Sequence, residues 1–126
     1  MSRPVPVWLV AVTATALALA VWVLAVPVAG VALEAGTPAQ TVGAASVVVA
    51  TLAVTLVAWG VRTLLRRRTP VAWWLTCGVV LAVSLLGPLG GTSPAAVGTL
   101  VALHLVVGLT VATGLDPRRA RPVATR

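Results

Sequence analysis

Residues 101–108, VALHLVVG, place the only histidine of the chain, His104, in the middle of an apolar stretch. An imidazole in such surroundings could relay a proton, contact a substrate or form a hydrogen bond to a neighbouring helix. In the neighbouring apolar stretches, Thr51 and Thr55 lie at a depth similar to that of His104, and Cys77 and Ser84 lie on either side of that depth. Together with His104, these residues are the candidate polar site of the chain.

Catalysis by this site is not expected, because acid–base chemistry normally needs a second titratable group within hydrogen-bond reach. No apolar stretch contains Asp, Glu, Lys or Tyr, and Glu34 and Asp116 lie between or at the ends of these stretches. A Cys77–His104 nucleophile pair is conceivable, but no carboxylate would orient the imidazole. One Cys and one His do not make a metal site either. The sequence therefore predicts no enzymatic activity, no metal and no cofactor.

The composition is typical of a membrane protein. Hydrophobic residues make up 60% of the chain and charged residues only 9%, whereas about a quarter of the residues of a soluble domain are charged. Phe, Tyr, Ile, Asn and Lys are absent, which indicates coding by a GC-rich genome. An ordinary soluble domain is excluded.

Four apolar stretches are each close to the roughly 20 residues that a helix needs to cross a bilayer. They lie at about residues 5–29, 38–65, 70–89 and 94–115. Since backbone polar groups in lipid must be satisfied within the segment, these stretches are expected to be helices. The predicted fold is an all-α transmembrane four-helix bundle with up-down-up-down order. It forms one domain over residues 1–126, with an Arg-rich tail at 116–126.

Three hydroxyl–proline pairs predict helix starts: Thr37-Pro38, Thr69-Pro70 and Ser93-Pro94. The hydroxyl suits the N-cap and the proline suits the first helical position. Gln40 follows Thr37 at the spacing of a capping box. Residues 84–94, SLLGPLGGTSP, predict a tight uncharged outer turn, and a re-entrant turn that lines a cavity is the alternative.

The arginines predict the orientation. All nine fall on one side of a four-span arrangement, so the positive-inside rule places both termini in the cytoplasm of a bacterium, with the spans in its plasma membrane. Six of them are expected to contact anionic lipid headgroups rather than nucleic acid: Arg62, Arg66, Arg67, Arg68, Arg118 and Arg119. Cleavage of the first span as a signal peptide after VAG at 28–30 is the competing interpretation.

The tryptophans indicate the same boundary. Four indoles map near the cytoplasmic headgroup region, where indoles are enriched: Trp8, Trp59, Trp73 and Trp74. Trp22 lies deeper and is expected to face lipid or a neighbouring helix.

The motifs SLLGPL and ALHLVVG, following WGVRTLLRRRTPVAWW, resemble a family of small four-helix integral membrane proteins of GC-rich actinobacteria that has no assigned function. The resemblance covers the second to fourth spans, and the first fits by position. It implies the same architecture and places a histidine in the fourth helix at His104. It supplies no catalytic or binding residues.

Two functions remain open on the sequence. Neutral His104 could hold two helices together by a hydrogen bond to Ser84 or Thr55, beside a notch at Gly108. Small residues recur at a spacing that lets helices approach closely: Ala16 and Ala20, Ser46 and Ala50, Gly78 and Ala82, Gly98 and Ala102. The favoured function is a non-enzymatic bundle that packs with itself, as a homo-oligomer, or with a membrane-protein partner. The alternative is a small transporter or channel that uses His104 near the bilayer midplane.

Overall fold

The computed structural model describes residues 5–120 and contains four long helices. These are α1 (Val7–Val23), α2 (Ala44–Leu65), α3 (Pro70–Ser84) and α4 (Pro94–Gly114). A π-helical turn at Leu24–Val28 continues α1, and 3-10 turns follow α3 at Gly87–Gly90 and α4 at Pro117–Ala120. With these continuations, all four helical segments are long and apolar enough to cross a membrane. The prediction of an all-helical fold with four membrane-length helices is confirmed.

Two of the three expected helix starts are correct. α3 begins at Pro70 and α4 at Pro94. The hydroxyl of Ser93 accepts a hydrogen bond from the amide of Ala96 at 3.1 Å. Thr69 occupies the N-cap of α3 without a side-chain bond, so proline contributes more to that helix start than the hydroxyl does.

The expected start of the second helix at Thr37-Pro38 is wrong. The chain forms an antiparallel hairpin there, with strands β1 (Glu34–Ala35) and β2 (Gln40–Thr41), and α2 begins only after Gly43. Gly36 adopts a φ of 92°, which favours glycine and begins a tight turn. The hydroxyl–proline pair therefore lies in a turn whose backbone groups are paired across the hairpin rather than along a helix.

Backbone hydrogen bonds join this hairpin to the loop after α3. The amide of Gly36 donates to the carbonyl of Gly90 at 3.2 Å, and the amide of Thr92 donates to the carbonyl of Glu34 at 3.2 Å. We call this end of the molecule the hairpin end. Residues 84–94 thus form a compact uncharged turn in which Pro88 is buried.

The opposite end of the helices carries the described arginines, and we call it the arginine end. The indole of Trp74, near the start of α3, donates to Oδ2 of Asp116 after α4 at 3.3 Å. Val10 of α1 lies against Gly114 of α4, where an added Cβ would come within 2.8 Å of Val10 Cγ1. The first turns of α1 and α3 are therefore both adjacent to the end of α4.

The core follows α1, α2 and α4. α1 packs along both α2 and α4, whereas α3 packs mainly on α4. One cluster of buried residues lies toward the hairpin end: Ala18, Leu33, Val47, Ala96, Leu100 and Leu103. A second cluster lies toward the arginine end: Val10, Ala14, Trp73, Val111 and Leu115. Trp73 is the only buried residue of α3.

Two of the small-residue pairs expected to support helix packing do not do so within one chain. Ala16, Ala20, Gly78 and Ala82 are all exposed. The close approach on α1 is made instead by Ala14 and Ala18, which are completely buried. Because every face of these helices is apolar, the sequence alone did not distinguish the buried small residues from the exposed ones.

The tryptophans divide into two groups. Trp8 is 63% exposed and Trp59 is 46% exposed, as an interfacial position requires. Trp73 also lies toward the arginine end, but it is 1% exposed and donates from Nε1 to the carbonyl of Ala112 at 3.1 Å, so it packs inside the bundle. Trp22 contacts a neighbouring segment, because its indole donates to the carbonyl of Val42 at 3.0 Å.

Candidate functional site

A groove lies between α2 and α3, with α4 as its floor. These two helices follow each other in the chain but pack little against each other, and the space between them measures about 550 Å³. Val54 and Val80 line the groove on its two sides and are both exposed. The groove is therefore open toward the outside of the bundle.

The structure brings most of the candidate polar residues together in this groove. Its lining includes Thr51 from α2, Cys77 and Ser84 from α3, and His104 from α4. Thr55 is the exception, because it is completely buried and lies outside the lining.

Sequence reasoning missed two polar residues of the lining, Ser46 and Thr76. Thr76 precedes Ser84 by slightly more than two helical turns, so the helical period could have placed it on the same face. Ser46 lies in the first turn of α2 and is exposed at the hairpin end of the groove.

His104 lies halfway along α4 and forms a hydrogen bond within its own helix. Nδ1 is 2.8 Å from the carbonyl oxygen of Leu100. Since a carbonyl oxygen can only accept, Nδ1 carries the proton and donates. Nε2 of the neutral ring is then an acceptor, and it has no hydrogen-bond partner among the described residues.

The expected hydrogen bond from His104 to Ser84 or Thr55 is not formed. The hydroxyl of Ser84 donates to the carbonyl of Leu81 at 2.8 Å, and that of Thr55 donates to the carbonyl of Thr51 at 2.8 Å. His104 therefore does not join two helices by a hydrogen bond.

The two threonines that line the groove are also bonded within their own helices. Thr51 donates to the carbonyl of Val47 at 2.7 Å, and Thr76 donates to that of Ala72 at 2.8 Å. Such bonds to the preceding turn are the usual way for a hydroxyl in a helix to satisfy its proton. After donating their protons, the hydroxyl oxygens of Thr51, Thr76 and Ser84 keep lone pairs that can accept a hydrogen bond. Nε2 of His104 can accept one as well.

The notch beside the imidazole is filled by a neighbouring helix. A Cβ at Gly108 would lie 2.8 Å from Cδ1 of Leu81 on α3. Gly108 thus allows α3 to approach α4 just beside the floor of the groove.

Cys77 is a half-buried free thiol in the same groove. No hydrogen bond joins it to His104, whose protonated nitrogen is engaged by Leu100. Within residues 5–120, no group of three or more His, Cys, Asp and Glu could hold a metal ion.

The arginines of the described chain lie at one end of the bundle. Arg62 is in the last turn of α2, the triplet at 66–68 is exposed in the loop to α3, and Arg118 and Arg119 are exposed after α4. Arg3, Arg121 and Arg126 lie outside the described residues. The arginine end is thus positively charged, whereas the helices that lead to it are apolar.

Comparison with known proteins gives an assignment to a family but no molecular function. No curated protein and no solved structure matches the chain. The model of a family of unknown function, DUF6069, matches residues 1–121. The chain belongs to this family.

Proposed function

We propose that the chain is a non-enzymatic, multi-pass protein of a bacterial cell membrane that packs with a second copy of itself or with another membrane protein. In this proposal the bundle has up-down-up-down order and both termini are cytoplasmic. The GC-rich composition favours an actinobacterial origin.

The observation that carries the packing proposal is the weak attachment of α3. Trp73 is its only buried residue, and the outward face carries large exposed apolar residues such as Leu75 and Val79. Gly78 and Ala82 lie on this face, and nothing lies within 4 Å of a Cβ added at Gly78. In lipid, helices associate through close packing at small residues. An unpartnered face with a small-residue pair is suited to a second helix.

Self-association can be measured by energy transfer between donor- and acceptor-labelled copies in lipid vesicles at several protein-to-lipid ratios. We expect transfer above the random level, and we expect Gly78→Leu with Ala82→Leu to weaken association about tenfold or more. The matched control is Ala16→Leu with Ala20→Leu on α1. Random-level transfer in the wild type, or loss of transfer only in the α1 control, would contradict self-association through this face of α3.

The charge of the arginine end supports the proposed orientation. The hairpin end carries Glu34 and no described arginine, whereas the other end carries Arg62, the triplet 66–68, Arg118 and Arg119. In the proposal the arginine end faces the cytoplasm and contacts anionic headgroups, as the positive-inside rule favours.

Orientation can be tested by cysteine labelling of intact cells in a Cys77→Ser background. Thr92→Cys reports on the hairpin end, and Thr69→Cys on the arginine end, since both residues are exposed. Gly91 is unsuitable, because a Cβ there would lie 2.9 Å from the amide nitrogen of Val97. An impermeant maleimide should label Thr92→Cys before lysis and Thr69→Cys only after it. The reverse pattern would overturn the orientation.

A second candidate function, transport or conduction through His104, is favoured by one observation. Nε2 has no hydrogen-bond partner among the described residues, and His104 lines a groove that extends from Ser46 to Val61 along α2. His104→Leu would separate this function from a purely structural role. Since no interhelical bond is lost, the variant should remain folded, so loss of a transport phenotype without loss of stability would support this candidate.

A further inference from the structure

We propose that the groove between α2 and α3 binds an uncharged lipophilic alcohol or phenol whose hydroxyl donates a hydrogen bond to Nε2 of His104. This inference goes beyond the proposed function and is independent of it. Self-association uses the outward face of α3, whereas the ligand would contact its groove-facing side.

The size and lining of the groove suit a small molecule. Its volume of about 550 Å³ lies within the roughly 300–1,000 Å³ of small-molecule sites, which are mostly apolar with a few polar groups that orient the ligand. Here the side chains along the groove are mainly Val, Ala and Leu, and its lateral opening faces the surroundings of the bundle. A lipophile could therefore enter from the bilayer.

The hydrogen-bonding capacity of the groove defines the chemical class of the ligand. The protons of Thr51, Thr76 and Ser84 are already donated to carbonyls of their own helices. Nδ1 of His104 also donates within its helix, while the thiol of Cys77 is only a weak donor. The middle of the groove thus offers acceptors and almost no donors, which matches a ligand that donates.

The charge of the groove favours a neutral ligand. Among the described residues that line it, none is charged. A buried cation without a counter-ion is strongly disfavoured, so an ammonium group is a poor match even though it donates. A bilayer acyl chain would fill the space but would leave the imidazole acceptor unpaired.

The single histidine of the chain makes a direct measurement possible. We would label the protein with ¹⁵N-histidine, purify it without a histidine tag and incorporate it into phosphatidylcholine nanodiscs. The free protein should show the tautomer protonated at Nδ1. Adding 4-octylphenol should shift the unprotonated Nε2 resonance upfield and saturably. The matched probe is 4-octylanisole, which has nearly the same shape and no donor, and it should leave Nε2 unshifted.

Variants give a second readout, with concentrations expressed as mole fraction in the membrane. The affinity for 4-octylphenol should fall about tenfold in His104→Leu, because one hydrogen bond is lost. His104→Gln supplies a carbonyl acceptor and should recover part of this loss. Thr99→Val removes a hydroxyl of α4 outside the groove and should have no effect.

Three results would overturn the proposal. They are equal affinity for the phenol and the anisole, a wild-type histidine protonated at Nε2, and saturable phenol binding that leaves the Nε2 resonance unchanged. Each would mean that Nε2 of His104 does not accept a hydrogen bond from the hydroxyl of a ligand in the groove. None of these results depends on whether the chain self-associates, so failure here is distinct from failure of the packing proposal.

Discussion

α1 and α3 both pack on α4, but they are held in different ways. α1 buries Val10, Ala14 and Ala18 along its length, and the small side chains let its backbone come close to its neighbours. α3 is held by one buried indole, Trp73, and by Leu81 against Gly108. The α1 interface is continuous, whereas α3 is held by a few separate contacts beside an open groove, including the exposed hydrogen bond from Trp74 to Asp116.

The difference shows what closes a helix interface in lipid. Burial of apolar surface drives packing in water, but lipid solvates apolar side chains about as well as another helix does. Only close van der Waals contact and hydrogen bonds then favour one arrangement. Where small residues face the neighbour, as on α1, the interface closes. α2 and α3 make few contacts with each other, and the hydroxyls of the groove are bonded within their own helices, so little favours closing the groove.

The largest effect on the free energy of unfolding is expected for Trp73, the buried residue that holds α3. Trp73→Ala should lower the free energy of unfolding in mixed micelles by about 3 kcal/mol, at the low end for a buried tryptophan because lipid solvates the apolar surface that is exposed. The neighbouring Trp74 is partly exposed and bonds only to Asp116. Trp74→Ala should therefore cost about 1 kcal/mol or less. Equal losses would refute the assignment of Trp73 as the anchor.

The next effect is expected at the small-residue interface of α1. Ala14→Leu adds volume at a fully buried position and should cost about 2 kcal/mol by overpacking. Ala16→Leu adds the same volume at an exposed position and should be nearly neutral. The same unfolding measurement compares the two variants. A larger loss of stability for Ala16→Leu than for Ala14→Leu would mean that the opposite face of α1 is buried.

A smaller effect is expected where α3 approaches α4. Gly108→Ala brings a methyl group against the flexible end of Leu81 and should cost about 1 kcal/mol. In a Leu81→Ala background the same substitution should cost nothing, because the colliding atom is gone. Gly60→Ala, which meets nothing within 4 Å, is the matched control. If the stability losses of Gly108→Ala and Leu81→Ala were additive, the contact between these two residues would be refuted.

The smallest effect concerns the helix caps at the starts of α3 and α4. Ser93→Ala removes the hydroxyl that accepts from the amide of Ala96 and should cost about 0.5 kcal/mol. Thr69→Ala removes a hydroxyl that makes no cap bond and should change the unfolding free energy very little. A larger loss at Thr69 would contradict the cap geometry.

The sequence predicts where the helices begin better than it predicts which face of each helix is buried. Ser93-Pro94 and Thr69-Pro70 locate two helix starts, because proline restricts where a helix can begin. The same residue types at Thr37-Pro38 lie in a hairpin turn, since hydroxyl residues and proline favour turns as well as caps. The residue types of Thr37 and Pro38 alone therefore do not distinguish a helix start from a turn.

The polar residues of the groove were predictable in part from the sequence, but their hydrogen bonds were not. His104, Cys77 and Ser84 are isolated polar residues in apolar helices, so they are easy to find. Which way each faces is not encoded by any period, because α3 is apolar on all sides; adjacent Trp73 and Trp74 have opposite exposure for this reason. Hydroxyls can also be satisfied within their own helix, and this is how Ser84 and Thr55 are bonded instead of to His104.

The unequal attachment of α1 and α3 can be tested most directly by pulsed electron–electron distance measurements in nanodiscs. Spin labels at exposed Leu9 and Leu109 report on α1 and α4, and labels at exposed Leu56 and Leu75 report on α2 and α3, in a Cys77→Ser background. Few buried contacts permit larger local motion, so we predict a narrow distribution for the first pair and a clearly wider one for the second. Equal widths, or a wider distribution between α1 and α4, would contradict the account.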